Sequence, residues 1–218
     1  MPDMTGRKGV VSHSAWVCCG LFLYTVLVFA KDDCREWHGA RQTQQGTLLH
    51  RCVDGSPIDE VVIDTRFQTS PARLLALVND YDAFEEFIPD VADSRVLQKA
   101  GQVQWVYHHL HFPGPVADRV YILRSTVLAL GAQRWRVSWA LSDREFPGFR
   151  LGEGIRPKQL SGFWEIEAGD PPGVTRARYA VHHDPGGLMP AWLVMPVTDR
   201  YVQQVVEAVR GRLEGQDK

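Results

Sequence analysis

Two hydrophobic periods alternate along the chain, and the switches between them predict its elements. Residues 47–53 and 58–67 read as strands joined by the turn Asp54-Gly55-Ser56-Pro57. Ser70 then supplies a helix N-cap with Pro71 at the first helical position, and Leu74, Leu75 and Val78 follow at helical spacing. A short helix over residues 82–87 is expected before Pro89. From Val91 the period returns to two: residues 94–99, 102–112, 116–127, 134–141, 160–168 and 175–183 read as strands separated by Gly, Pro or Asp turns. The clearest is 134–141, where Trp135, Val137, Trp139 and Leu141 share one face and Arg134, Arg136 and Ser138 the other.

Trp164, Ile166, Tyr179 and Val181 continue that apolar face on the following strands, and such a face needs a cover. The last element, from Pro190 to about Leu213, provides one. Val194, Val197, Tyr201, Val205 and Val209 fall near one side of a long amphipathic helix, with Gln203, Glu207 and Arg210 elsewhere and Pro196 kinking or delaying it. The class is therefore α+β: a curved antiparallel sheet around a C-terminal helix, with smaller helices inserted after the early strands. Residues 142–158 carry Phe146-Pro147-Gly148-Phe149 among charges and glycines, and read as a long mobile loop. It is either a lid that touches a membrane through Phe146 and Phe149 or a plain connection.

Ahead of the domain, residues 1–14 are polar and carry Arg7 and Lys8; Ala15 to Ala30 run without a charge, and Lys31-Asp32-Asp33 stop the run. This is the layout of a signal peptide with cleavage after Ala30, the alternative being a retained membrane anchor. The run is slightly shorter than the roughly 18 to 20 residues a spanning helix prefers. Residues 1–30 are thus a leader or anchor, residues 31–218 the domain, and the expected location is the periplasm. Asp33 before Cys34 is unsuited to lipoprotein processing. Without the leader the chain keeps 22 basic and 25 acidic residues, and Cys34 and Cys52 as its only cysteines. In an oxidising compartment these are expected to form a disulfide.

Composition narrows the function further. The 218 residues are 44% hydrophobic and 23% charged, as in a globular protein, and the net charge of −2 comes without any Lys/Arg run that could follow a nucleic-acid backbone. No phosphate-cradling glycine loop, CxxC pair, HExxH helix or G-x-S-x-G elbow occurs, so no cofactor and no catalytic triad are expected. His108, His109, His111, His182 and His183 invite a metal, but period two separates His108 from His109 and His111, and no acidic or cysteine ligand stands at a recognisable spacing. Metal is not expected.

Three segments carry a resemblance: Ala92-Asp93-Ser94-Arg95-Val96-Leu97-Gln98-Lys99-Ala100-Gly101; Phe112-Pro113-Gly114-Pro115-Val116-Ala117-Asp118-Arg119-Val120-Tyr121; and Asp184-Pro185-Gly186-Gly187-Leu188-Met189-Pro190 running into the terminal helix. In order and spacing they resemble the START family of lipid transfer domains, over roughly residues 48–214. The resemblance implies a helix-grip fold whose interior is a tunnel for a sterol, phospholipid or similar lipid. It also implies an acidic residue and an arginine inside that tunnel, at positions matching Asp93 and Arg119. Val120 departs from the second acidic residue common in the family.

Paired in an apolar tunnel, Asp93 and Arg119 would orient a lipid hydroxyl; the plain alternative is a surface salt bridge. Trp105, Tyr107, Trp135, Trp139, Trp164 and Tyr179, with Tyr201 from the helix, are candidate walls, though each alone reads equally as core. The leading expectation is a non-catalytic binder and carrier of one hydrophobic ligand, making transient membrane contact. The alternatives are a polyketide cyclase or hydratase using Asp93, Arg119 and Tyr107, and a membrane-tethered sensor if Ala15 to Ala30 is retained.

Overall fold

The computed structural model describes residue 34 and residues 36–114, 116–186 and 189–215. Residues 1–30, and with them the expected leader, lie outside this set. Among the described residues, nine strands form one sheet: β1 (His38–Gln42), β2 (Thr47–Arg51), β3 (Glu60–Phe67), β4 (Val91–Ala100), β5 (Val103–Leu110), β6 (Arg119–Gly131), β7 (Arg134–Leu141), β8 (Gln159–Ala168) and β9 (Thr175–Asp184). Their order is β1-β2-β3-β9-β8-β7-β6-β5-β4, and every neighbouring pair is antiparallel. Between β3 and β4 come α1 (Pro71–Val78) and a 3-10 helix (Tyr81–Glu86); the last described element is α2 (Ala191–Gly215).

Register turns the period-two pattern into one continuous apolar face. Val61 stands opposite Val181, Val181 opposite Gly162 and Gly162 opposite Trp139, while the next row runs Ile63, Tyr179, Trp164, Val137. α2 packs against β3 and β9, and α1 packs against β8. The core fills the space between, from Leu48, Val61 and Ile63 through Trp164 and Ile166 to Val202, Val206 and Val209 of the helix. α1 starts as expected: Ser70 Oγ accepts from the Arg73 backbone N–H at 3.3 Å, and Pro71 takes the first position.

The departures from expectation have local causes. β1 was not foreseen, because all its residues are exposed and carry no apolar alternation; it exists by pairing with β2 at the sheet edge. The β1–β2 turn needs glycine at 46, since a Cβ there would lie 2.2 Å from the Asp64 carbonyl oxygen. β6 starts at Arg119 and not at Val116, because the Asp118 carboxylate accepts from His109 Nε2 at 2.7 Å, from His111 Nδ1 at 3.1 Å and from the Phe112 N–H at 3.4 Å, which holds a turn. On α2 the buried stripe is Val194, Thr198, Val202, Val205, Val206, Val209 and Leu213, whereas Val197 is 53% exposed.

Residues 142–158 lie against the sheet. Phe146 packs edge-on against Trp105 with ring centroids 6.4 Å apart, and Phe149 against Tyr107 at 5.0 Å. Backbone bonds from Ile155 N–H to Asp118 C=O (2.8 Å) and from Lys158 N–H to Asp184 C=O (2.9 Å) tie the segment's end to neighbouring chain. Among the described residues, no helix is long and apolar enough to cross a membrane.

The expected disulfide is present: Cys34 and Cys52 are bonded with their Cα atoms 4.9 Å apart, fastening the chain ahead of β1 to the end of β2. Closing this 18-residue separation restricts the unfolded chain. Replacing both cysteines with serine is expected to lower the unfolding free energy by about 3 kcal/mol in urea titrations of oxidised protein. Equal stability of variant and wild type would show that the bridge constrains nothing.

Candidate functional site

Between the inner face of the sheet, α1 with the 3-10 helix, and α2 lies a cavity of about 80 Å³. Its walls are aromatic and aliphatic: Trp139, Trp164, Tyr179 and Leu160 from the sheet, Tyr81 and Phe84 from the 3-10 helix, Tyr201, Val205 and Val209 from α2. Trp164 stacks on Tyr179 at 4.3 Å and 21°, and Trp139 leans against the same tyrosine at 5.9 Å. Gly162 makes that arrangement possible. A Cβ there would meet the Trp139 indole at 2.6 Å and the Ala180 carbonyl oxygen at 2.4 Å, so only the bare backbone lets the indole lie across β8.

The expected site residues divide by strand parity. Trp139, Trp164, Tyr179 and Tyr201 line the cavity. Trp105 and Tyr107 alternate with the inward-facing Val106 and His108 and are packed under Phe146 and Phe149, outside the lining. Arg144 also lies over Trp105, at 4.2 Å. Trp135 shares a face with Trp139 but stands at the far end of β7, beyond the cavity and half-buried.

Asp93 and Arg119 do not form the expected pair. Asp93 takes a two-pronged hydrogen bond from Arg95, two residues along the same strand, with Nε at 2.8 Å and 3.1 Å from its two oxygens. Arg119 is buried, 3% exposed, and spends its donors on main-chain oxygens: Nε on Pro185 C=O at 2.9 Å and Nη1 on Ala117 C=O. Its Nη2 approaches Met189 Sδ at 3.8 Å. Burial lowers its pKa. Arg119 is therefore a brace for the segment leading into α2. The acid–base set expected of a cyclase, Asp93, Arg119 and Tyr107, falls wholly outside the cavity lining.

The polar groups in the cavity wall are different residues. His108 faces inward from β5 inside a cage of Tyr81, Phe84 and Tyr121, whose ring centroids lie 6.0, 6.0 and 5.6 Å away. His183 lines the same cavity from β9. Both Nε2 atoms are buried without a hydrogen-bond partner. Burial pushes both imidazoles down to about 4, the nearby Arg119 charge adding to the effect on His183, so both are neutral at pH 7. Tyr81 is pushed up to about 12 by burial while donating or accepting a 2.7 Å bond with Ser125 Oγ. Burial likewise raises Tyr121, Tyr179 and Tyr201. The cavity is thus uncharged throughout the neutral range. In the sequence His108 and His183 stand among five histidines that suggest a metal cluster, and period two already places His108 opposite His109. Among the described residues, no group of His, Cys, Asp or Glu could hold a metal ion.

A large antiparallel sheet gripping a C-terminal helix defines the START or helix-grip fold. The chain belongs to the polyketide cyclase/dehydrase and lipid transport family, whose model matches residues 68–210. Among solved structures it is similar to a fragment of a STAR-related lipid transfer protein from Xanthomonas axonopodis, at 25% identity and a TM-score of 0.72, over 82% of this chain and 98% of that one. It shares its fold with human StAR-related lipid transfer protein 5, at 12% identity and a TM-score of 0.69, over 86% of this chain and 90% of that one. An uncharacterized Pseudomonas aeruginosa protein is 25% identical over 158 residues, 72% of this chain and 77% of its own length.

The unfolded chain protonates His108 and His183 near 6.5, the folded chain only near 4, so between these values the unfolded state holds more protons and stability rises with pH. The contribution is complete above 6.5 and disappears as the pH falls to 4, with about 3 kcal/mol at stake for each histidine. Urea unfolding at pH 7 and pH 5 measures it, and His108→Leu removes that residue's share of the slope. Gly162→Ala is expected to destabilise by about 1 to 3 kcal/mol and to shift tryptophan emission as the Trp139 indole is displaced. Unchanged emission would show that β8 accommodates a side chain there.

Proposed function

We propose that this protein binds one hydrophobic ligand, a lipid, in the cavity under α2 and carries it unchanged through an aqueous compartment of the cell envelope. The observation that carries this reading is the uncharged cavity whose walls are formed by Trp139, Trp164, Tyr179 and Tyr201. Membership of a family that includes lipid transport supports it, as does similarity to a STAR-related lipid transfer protein. The cavity of about 80 Å³ is far below the roughly 300 to 1,000 Å³ of pockets that hold drug-sized ligands, so loading requires the walls to part. The moving part is α2, with the Arg119–Pro185 bond as its latch.

Trp192, Leu193 and Val197 are 76%, 41% and 53% exposed on the first turns of α2, where an opening helix would meet a bilayer. We assign transient membrane contact to these residues, since Phe146 and Phe149 are engaged on the sheet. The Cys34–Cys52 bridge accords with export to an oxidising compartment, and the charge pattern of residues 1–33 with a signal peptide or anchor. A second reading, cyclase or dehydrase chemistry in the same cavity, is favoured by His108 standing beside Tyr81 and Tyr121.

Native mass spectrometry of protein purified from envelope extracts tests the carrier. One co-purifying lipid class, recovered unchanged after incubation, is expected; absence of any lipid overturns the reading, and recovery of a dehydrated or cyclised product selects the second. Trp139→Ala is expected to reduce lipid occupancy several-fold. Because its indole is half-buried and faces free volume, the variant should lose less than the ~3 to 5 kcal/mol of a core tryptophan truncation.

A further inference from the structure

The polar lining of the cavity is unusual in what it leaves undone. A buried imidazole nitrogen without a partner destabilises a fold, and an apolar residue of similar size would remove the penalty. Here two such nitrogens, His108 Nε2 and His183 Nε2, border the same cavity from opposite parts of the sheet. Their positions along the strands agree. His108 pairs with Tyr121, two residues into β6, and His183 is the penultimate residue of β9, so both stand at the end where β6 begins and β9 finishes. Trp139, Trp164 and Tyr179 line the cavity deeper from that end.

We propose that His108 and His183 are the hydrogen-bonding stations of this cavity, and that its ligand is an uncharged lipid whose hydroxyl or ketone oxygen lies at that end with its apolar body over Trp139, Trp164 and Tyr179. The inference rests on the lipid-binding reading above and deepens it. A neutral imidazole suits either oxygen: its bare nitrogen accepts from a hydroxyl, and in the other tautomer the N–H donates to a ketone. It offers no charge to offset a carboxylate or phosphate. Arg119, the cation whose charge acts on His183, already gives its Nε and Nη1 to the Pro185 and Ala117 carbonyls and does not line the cavity. An anionic head would therefore be desolvated without compensation.

Three flat probes of one shape separate the possibilities: 1-pyrenemethanol, 1-methylpyrene and 1-pyrenecarboxylate, titrated into the full domain at pH 7.5 and followed by tryptophan-to-pyrene energy transfer. The wild type is expected to bind the alcohol about tenfold more tightly than the methyl compound, the worth of a buried hydrogen bond, and the carboxylate no better than the methyl compound. His108→Leu and His183→Leu are each expected to reduce that preference while keeping affinity for 1-methylpyrene. Their thermal midpoints should equal or exceed that of the wild type, since each removes an unsatisfied polar atom. A merely structural histidine would behave oppositely, losing stability and leaving the preference intact, and that result overturns the proposal. Equal binding of all three probes by the wild type, or tightest binding of the carboxylate, also overturns it while leaving the apolar cavity standing as a binding site. Transfer from none of the three removes the lipid-binding reading and this inference with it.

Discussion

Covering the inner face of an open sheet is the constraint on which the rest of this structure depends. Nine antiparallel strands ending in edges at β1 and β4 cannot close on themselves, and the apolar rows through Val61, Val181 and Trp139 and through Ile63, Tyr179 and Trp164 would otherwise face water. α2 answers this with a stripe dominated by valine, from Val194 to Val209. Valine is short. Laid against large rings it covers the sheet without filling the gap, and the free volume collects where Trp139, Trp164 and Tyr179 face Tyr201 and Val205.

The same arrangement determines the cavity's electrostatics. Imidazoles and phenols shielded from water hold their neutral forms, which is why His108 and His183 fall while Tyr81, Tyr121, Tyr179 and Tyr201 rise. Charged groups are confined to the other face and the rim. On the outer face Arg178 makes a two-pronged bond to Asp64 at 2.6 and 2.7 Å, and Arg136 pairs with Glu165 while covering the Phe163 ring at 3.7 Å. Such half-exposed pairs add little stability. Their effect is to keep that face wet and so leave one face of the sheet for the helix.

Arg119 links the two regions. It is buried at the start of β6, yet its guanidinium bonds lead to main-chain oxygens at Ala117 and Pro185, the latter just ahead of α2. A buried cation held by carbonyls tolerates displacement poorly, because breaking those bonds leaves a desolvated charge. Arg119 thus ties the start of β6 to the segment ahead of α2 from beside, not inside, the cavity.

The one-dimensional pattern determined a great deal here. Period two in 134–141 and its neighbours, the Ser70-Pro71 cap and the helical spacing after Pro190 are local properties, and each element appears within a few residues of its expected place. Period two within β5 sorts Trp105 and Tyr107 from Val106 and His108, but only the register with β6 decides that the second pair faces inward beside Trp139, Trp164 and Tyr179. What the pattern did not contain was anything set by register between distant strands or by competition among partners. β1 has no apolar signal and forms only because β2 offers an edge. Asp93 bonds Arg95 because both stand on the outer face with His109 and Tyr107, whereas Arg119 pairs with Leu110 on the inner face. The aromatic loop 142–158 lies against Trp105 and Tyr107 because their rings offer Phe146 and Phe149 apolar surface. The meeting of His108 and His183 around one cavity is the clearest case: they are far apart in sequence, on strands separated by three others, and only the folding of the whole sheet around α2 brings both to the same space.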